Sequence, residues 1–245
     1  MTIGLIEVLS GTSSIILIII SLYFGFKLIS KYFQYKEKTL LFVGITGIFV
    51  FEPWWPSAIS FLQALITGEG ITIELYFLIG NVFIPIAILS WLNAFTNLLF
   101  EDKKRTILIA TATVSCLFEA FFLYFLFTDV TIIGELQGLV DVQYKSFVLL
   151  YLFLAIVITL ITGILFARES LKSDNPNTRA KGKLLVVAFV SYVVGAILDS
   201  AIPLNLITLP ITRMIMVISS ITFYGGFILP NWIKKFVLKD EKSQK

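Results

Sequence analysis

The sequence predicts an all-α integral membrane protein, a single bundle of seven transmembrane helices with the N-terminus outside and the C-terminus in the cytoplasm. Three observations predict it. The 245 residues are 58% hydrophobic and only 14% charged, with a mean hydropathy of +0.93, whereas about a quarter of the residues of a soluble domain are charged. Seven apolar runs are long enough to cross about 30 Å of hydrocarbon, which takes roughly 20 helical residues. Basic residues collect in alternate connections between these runs, as they do in the cytoplasmic loops of membrane proteins.

In order, the runs cover 10–33, 39–65, 71–100, 106–128, 144–167, 183–203 and 207–233. The first has Glu7 before it instead of a basic leader and is too long for a cleavable signal core, so it is expected to remain as a helix. The second contains the segment EPWWP, where Pro53 and Pro56 interrupt the hydrogen-bond ladder and bend the helix. Pro85, with Gly80 and Asn81 a turn above, marks a second kink in the third run, and Asn81 can bond the freed backbone groups. The fourth carries Glu119 and Cys116, the latter read as an inert packing group. The sixth closes on Asp199 and Pro203, and the seventh opens with Arg213. Trp91 and Trp232 fall toward the cytoplasmic ends, where belt residues are expected.

Short links at 36–38, 67–70 and 101–105 make neighbouring helices antiparallel within one bundle. The link 170–182 reads SLKSDNPNTRAKG, a turn-forming composition. The link 129–142 is longer and holds Ile132, Ile133, Leu136, Leu139 and Val140, which suits an interfacial helix or a hairpin lid over the bundle mouth. The expected organisation is a seven-helix domain over 1–236 and a short cytoplasmic tail over 237–245, with no fused catalytic or signalling module.

Orientation follows from the basic residues. Lys27, Lys31, Lys36 and Lys38, then Lys103, Lys104 and Arg105, then Arg168, Lys172, Arg179, Lys181 and Lys183, then Lys234, Lys235, Lys239, Lys242 and Lys245 all fall on one side. Of the 19 basic residues, that leaves Lys145 and Arg213 for the other side and the membrane. This predicts a multi-pass protein of the cell membrane whose constant partner is the lipid bilayer. Nucleic acid is not an expected partner, since no aromatic pattern accompanies the basic residues. With no His and one Cys, His-based acid–base catalysis, most zinc chemistry and a disulfide framework are excluded, and neither an enzyme, a metal nor a cofactor is expected.

An ionisable group in the membrane costs roughly 2.5 to 3.5 kcal/mol on insertion scales, so it turns toward a partner, water or the bundle interior. Five such groups stand out: Glu52, Glu74, Glu119, Asp199 and Arg213. Helical spacing sets Glu52 in a row with Pro56, Ser60 and Gln63, and Glu74 with Asn81 and Pro85. Likewise Glu119 follows Thr111 and Ser115, Asp199 follows Ser191 and Gly195, and Arg213 precedes Met216, Ser220 and Tyr224. Five polar faces thus converge in the outer half, with four acids against one base, so that either carboxyls are protonated or the site holds a cation. The candidate ligand-binding set is Glu52, Trp54, Trp55, Glu74, Asn81, Glu119, Asp199 and Arg213. A structural account stands beside it: an Asp199 to Arg213 pair, a hydrogen-bonded Glu119, a solvated Glu74, and Trp54 and Trp55 as interfacial anchors.

A retinal pigment is not expected, because 212–229 contains no Lys for a Schiff base. Two stretches carry a resemblance: NPNTRAKGKLLVVAFVSYVVGAILD at 175–199 and YGGFILPNWIKK at 224–235. They resemble the seven-helix membrane sensor regions that precede prokaryotic histidine kinases, and their stand-alone archaeal and bacterial relatives. That resemblance implies a receptor-like or sensor-like protein that signals through a separate cytoplasmic partner, since no kinase follows; the excess of acids in the outer half adds the expectation of a small cationic or amphipathic ligand bound there. The alternative is a small-solute or cation-coupled transporter of 3+1+3 organisation. The acid-to-proline spacing shared by Glu52–Pro56 and Asp199–Pro203 fits it, whereas the missing Pro-Gln pair does not. A third possibility is a scaffold without a ligand.

Overall fold

The computed structural model describes residues 3–202 and 205–243. Pro203 and Lys245, which figure in the reading above, lie outside the described residues. Among the described residues, seven helices are long and apolar enough to cross a membrane. The first is α1 (Leu5–Tyr35). The second is interrupted: α2 (Lys38–Phe49), a 3-10 turn (Glu52–Trp54) and α3 (Trp55–Thr67). The third is interrupted as well, α4 (Ile73–Asn81) giving way to α5 (Ile84–Leu99). Then come α6 (Lys104–Thr128), α7 (Ser146–Leu171), α8 (Pro176–Ala201) and α9 (Thr208–Ile228), followed by a shorter helix, α10 (Asn231–Ser243).

Proline places both interruptions. Pro53 sits in the first turn of the 3-10 segment, Pro56 in that of α3 and Pro85 in that of α5. In a first turn the missing N–H has no intrahelical partner to lose, so each proline begins a segment and ends the one before it. The same rule explains where α8 starts. Asn175 accepts the Asn177 N–H at 2.9 Å and Pro176 takes the first helical position, so residues expected in the link 170–182 form the first two turns of α8. At the other end, Leu229 turns left-handed (φ 50°) and Pro230 follows, which ends α9 before α10. Lys181 donates to the Phe227 carbonyl at 3.0 Å at that C-terminus, where a cation also meets the negative end of the helix dipole.

α8 packs along both α7 and α9, and α2 packs along both α1 and α5. The third apolar helix is the most buried of the seven and α7 the least. Large apolar side chains such as Ile19, Phe26, Phe121, Phe127, Phe153 and Met214 cover the outside of the bundle, a surface suited to hydrocarbon. Trp91, expected in an interfacial belt, is a correction: it is 3% exposed. Its Nε1–H donates to Thr162 Oγ1 at 2.7 Å, and its ring meets Phe189 and Phe166 at 5.1 and 5.7 Å. Buried indole needs such an acceptor. Trp232, on α10, is exposed.

Between α6 and α7 the chain folds into a hairpin. β1 (Gly134–Leu136) pairs antiparallel with β2 (Val142–Tyr144), Glu135 opposite Gln143. Of the two forms the sequence allowed for this link, the hairpin is the one found. Ile133 and Val140 are buried beneath it. The Tyr76 hydroxyl donates to the Val140 carbonyl at 2.8 Å, and Ser60 donates to the Leu139 carbonyl. The hairpin is therefore stitched to α3 and α4, across the end of the bundle opposite the basic loops.

The α1–α2 crossing depends on small residues. A Cβ on Gly25 would stand 2.7 Å from the Gly44 carbonyl oxygen, and one on Gly44 would stand 2.9 Å from that of Gly25. Backbone oxygens cannot rotate aside, so these glycines set the helix separation. Gly25→Val is expected to lower stability by about 1–3 kcal/mol, the usual range for overpacking. The check is the unfolding midpoint in detergent, with Ile19→Val on the exposed side of α1 as the control that should change little.

Candidate functional site

The polar core of the bundle is built around Asp199, near the end of α8. Its Oδ2 accepts the Trp54 indole N–H at 2.8 Å and an Arg213 guanidinium N–H at 3.2 Å, and Oδ1 accepts from the Thr212 hydroxyl at 3.4 Å. Arg213 also reaches Ser10 Oγ at 3.4 Å. One carboxylate thus ties the 3-10 turn, α8 and α9 together, with α1 attached through the arginine. Arg213 and Trp54 are 3% and 6% exposed, whereas the Asp199 side chain keeps 14% exposure at the mouth, so the pair is only partly shielded from water.

Next to it lies a cavity of about 360 Å³ between α2, α5, α7 and α8. Along most of its length the walls are apolar or aromatic, including Ile88, Trp91, Ile156 and Tyr192. At one end stand Asp199, Arg213 and Asp141, with the Tyr76 and Tyr144 side chains nearby. A larger opening of about 820 Å³, lined by Glu7, Ser10, Gln137, Asp141, Tyr144 and Asp199 among others, shares that polar end. The hairpin therefore stands between the opening and the cavity, with Asp141 facing both. An apolar slot with polar groups at its mouth is the usual form of a small-ligand site.

A second polar neighbourhood lies at the two helix interruptions. Glu52 is fully buried, and its Oε1 accepts the Phe83 backbone N–H at 2.8 Å. Phe83 precedes α5, so a carboxylate from one interruption caps the helix that starts at the other. Asn81 ends α4; its Nδ2 donates to the Phe77 carbonyl at 2.8 Å and to the Tyr144 hydroxyl at 3.2 Å. Glu119 on α6 is half-buried.

Of the sequence-derived candidates, Trp54, Asp199 and Arg213 line the cavity together. Glu52 and Asn81 occupy the second neighbourhood, and the charge of Glu119 acts on Glu52. Trp55 is outside both: half-buried, it packs its ring against Phe49 at 5.8 Å. Glu74 is exposed and outside both as well, since it occupies the first turn of α4, where Thr72 is the N-cap. The eight residues do not form one cluster. Sequence reasoning passes over Asp141, Tyr76, Tyr144, Trp91 and Tyr192 as site residues. Asp141 is a loop acid in the sequence, and only the hairpin brings it to Asp199; the aromatic residues carry no signal beyond their hydroxyl or indole polarity in an apolar run. No known protein family, characterised protein or solved structure matches the chain.

Burial, and after it the charge of Asp199, push the Asp141 carboxyl up to about 6 from 3.8; the Val142 N–H and Arg213 pull the other way. A carboxyl whose pKa is raised on folding binds its proton more tightly in the folded state, so its contribution to stability is full below about 3.8 and is lost as pH rises toward about 6. The unfolding midpoint of the wild type, relative to Asp141→Asn, is therefore expected to fall between those two pH values and to run level above them. Arg213→Met leaves the largely enclosed Asp199 without its counter-charge and is expected to lower stability by about 1–3 kcal/mol. Adding Asp199→Asn to that variant should restore part of the loss, which a double-mutant cycle of unfolding midpoints measures.

Proposed function

We propose that this chain is a receptor-like or sensor-like protein of the cell membrane that takes a small amphipathic ligand, its apolar part in the cavity and its cationic or hydrogen-bonding head at Asp199 and Asp141. The observation that carries this reading is the cavity of about 360 Å³, apolar along its walls and acidic at one end. Asp141 and Asp199 face one Arg213 there, with Glu7 further out, so the mouth favours positive charge.

The positive-inside rule orients the bundle. Basic loops would face the cytoplasm, which sets the hairpin, the opening and the N-terminus outside. The ligand would reach the cavity past Asp141, or from the bilayer between α7 and its neighbours, where Phe153 and Ile197 line the cavity and are also exposed on the outside. In keeping with the resemblance of residues 175–199 and 224–235 to kinase-linked sensors, the output would pass to a separate cytoplasmic signalling protein docked on the Lys and Arg loops. A ligand shifts the bundle only through different affinity for two conformations, and the interrupted helices beside Trp54 offer the place where they can differ.

A specific observation favours a second reading, transport. Two spans are interrupted side by side and joined through Glu52, and broken helices mark the sites of several transporters.

The test uses the purified chain in lipid nanodiscs with hexyltrimethylammonium as the probe and hexanesulfonate as its anionic counterpart. The cation is expected to raise the unfolding midpoint saturably and the anion to leave it unchanged. Ala196→Phe, which fills the cavity at its wall, should abolish the response when each protein is compared with its own unliganded midpoint. Equal responses to both probes, or an undiminished response in Ala196→Phe, would sink the assignment. Movement of the labelled cation across vesicles, lost in Glu52→Gln, would select transport.

A further inference from the structure

The interruptions of the second and third spans hold a group of oxygens that the ligand cavity does not use. Glu52 Oε2, Asn81 Oδ1 and Glu119 Oε1 are buried acceptors with no hydrogen-bond partner among the described residues. Glu52 and Asn81 are both 0% exposed, and such orphaned acceptors are rare in folded proteins. Three separate segments supply them, and these segments meet: α4 packs against the 3-10 turn that carries Glu52 and against α6 that carries Glu119. Glu52 and Glu119 are close enough for the charge of one to act on the other. Asn81 is held with its nitrogen on the Phe77 carbonyl and the Tyr144 hydroxyl, so Oδ1 is the atom left over.

The backbone adds to the group. Pro85 has no N–H to offer the Asn81 carbonyl four residues earlier, and the Phe83 N–H is given to Glu52. The interruption thus collects acceptors, two of which belong to carboxyls; among the described residues, the one buried donor left without a partner at the interruption is the Trp55 indole N–H, whose ring lies against Phe49.

From this geometry we infer that the paired helix interruptions form a site for a small monovalent cation, bound by Glu52, Glu119, the Asn81 amide oxygen and the Asn81 carbonyl. A cation engages several oxygens from different segments at once, whereas a proton converts a single oxygen into a donor. A calcium ion takes about six to eight oxygens, more than these segments supply. Sodium is the hard, oxygen-seeking ion that suits so small a set. None of these side chains lines the ligand cavity, so the two sites are separate.

The experiment uses the full chain in nanodiscs at pH 8, with sodium chloride exchanged against N-methylglucamine chloride at constant ionic strength. The unfolding midpoint is expected to rise saturably with sodium, and labelled sodium should bind the wild type at about one ion per chain. Glu52→Gln and Glu119→Gln should each weaken the apparent affinity at least tenfold, and Glu74→Gln should leave it unchanged. Direct sodium binding to the wild type decides the matter even where Glu52→Gln fails to fold, and the half-buried Glu119 supplies the second variant. A midpoint indifferent to sodium that falls as pH rises, with the slope lost in Glu52→Gln, would overturn the inference in favour of protons. A response to calcium and none to sodium would overturn it as well.

Discussion

Charge buried in an apolar bundle must find company, and most of what is distinctive in this structure answers that constraint. Asp199 is the clearest case. Its carboxylate is shared by an indole, a guanidinium and a threonine hydroxyl, so removing any one partner leaves the others with unmatched polarity. Glu52 meets it for one of its oxygens, which accepts a backbone N–H. These bonds do more than offset the desolvation of single groups. They fix which helices meet, because carboxylate, indole and guanidinium have few geometries in which they can all be satisfied.

Much of the helical frame was legible in the sequence, for a physical reason. Crossing hydrocarbon needs a minimum length of apolar chain, and that length is visible without any knowledge of packing. Link 129–142 was legible as a choice between two forms, since its apolar residues had to be buried against something. Helix ends were less so. The start of α8 at Pro176 was hidden because Asp174, Asn175, Pro176 and Asn177 look like a loop, yet asparagine followed by proline is also how a helix begins.

The polar site was legible by type and less by grouping. Rarity picks out buried acids and a lone arginine, and it places Asp199 and Arg213 on facing turns. Rarity does not tell which side of a kinked helix a residue faces. The 3-10 turn swings Trp54 toward Asp199 while Glu52 looks the other way, to Phe83. Helical spacing, which assumes an unbroken ladder, could not have separated those two neighbours. Nor could it bring in Asp141, whose position depends on a hairpin register set by Glu135 facing Gln143.

The loose setting of α7 has a consequence of its own. Among the long helices it is the least buried, it packs mainly along α8, and it still supplies one whole wall of the cavity. A wall with no packed protein behind it yields more readily than one that is backed on its far side. The bundle therefore combines a fixed polar end with one compliant side, which under the proposed ligand reading would tolerate girth while discriminating the chemistry of the head. Promiscuity toward tails and strictness toward heads would then be two expressions of the same architecture.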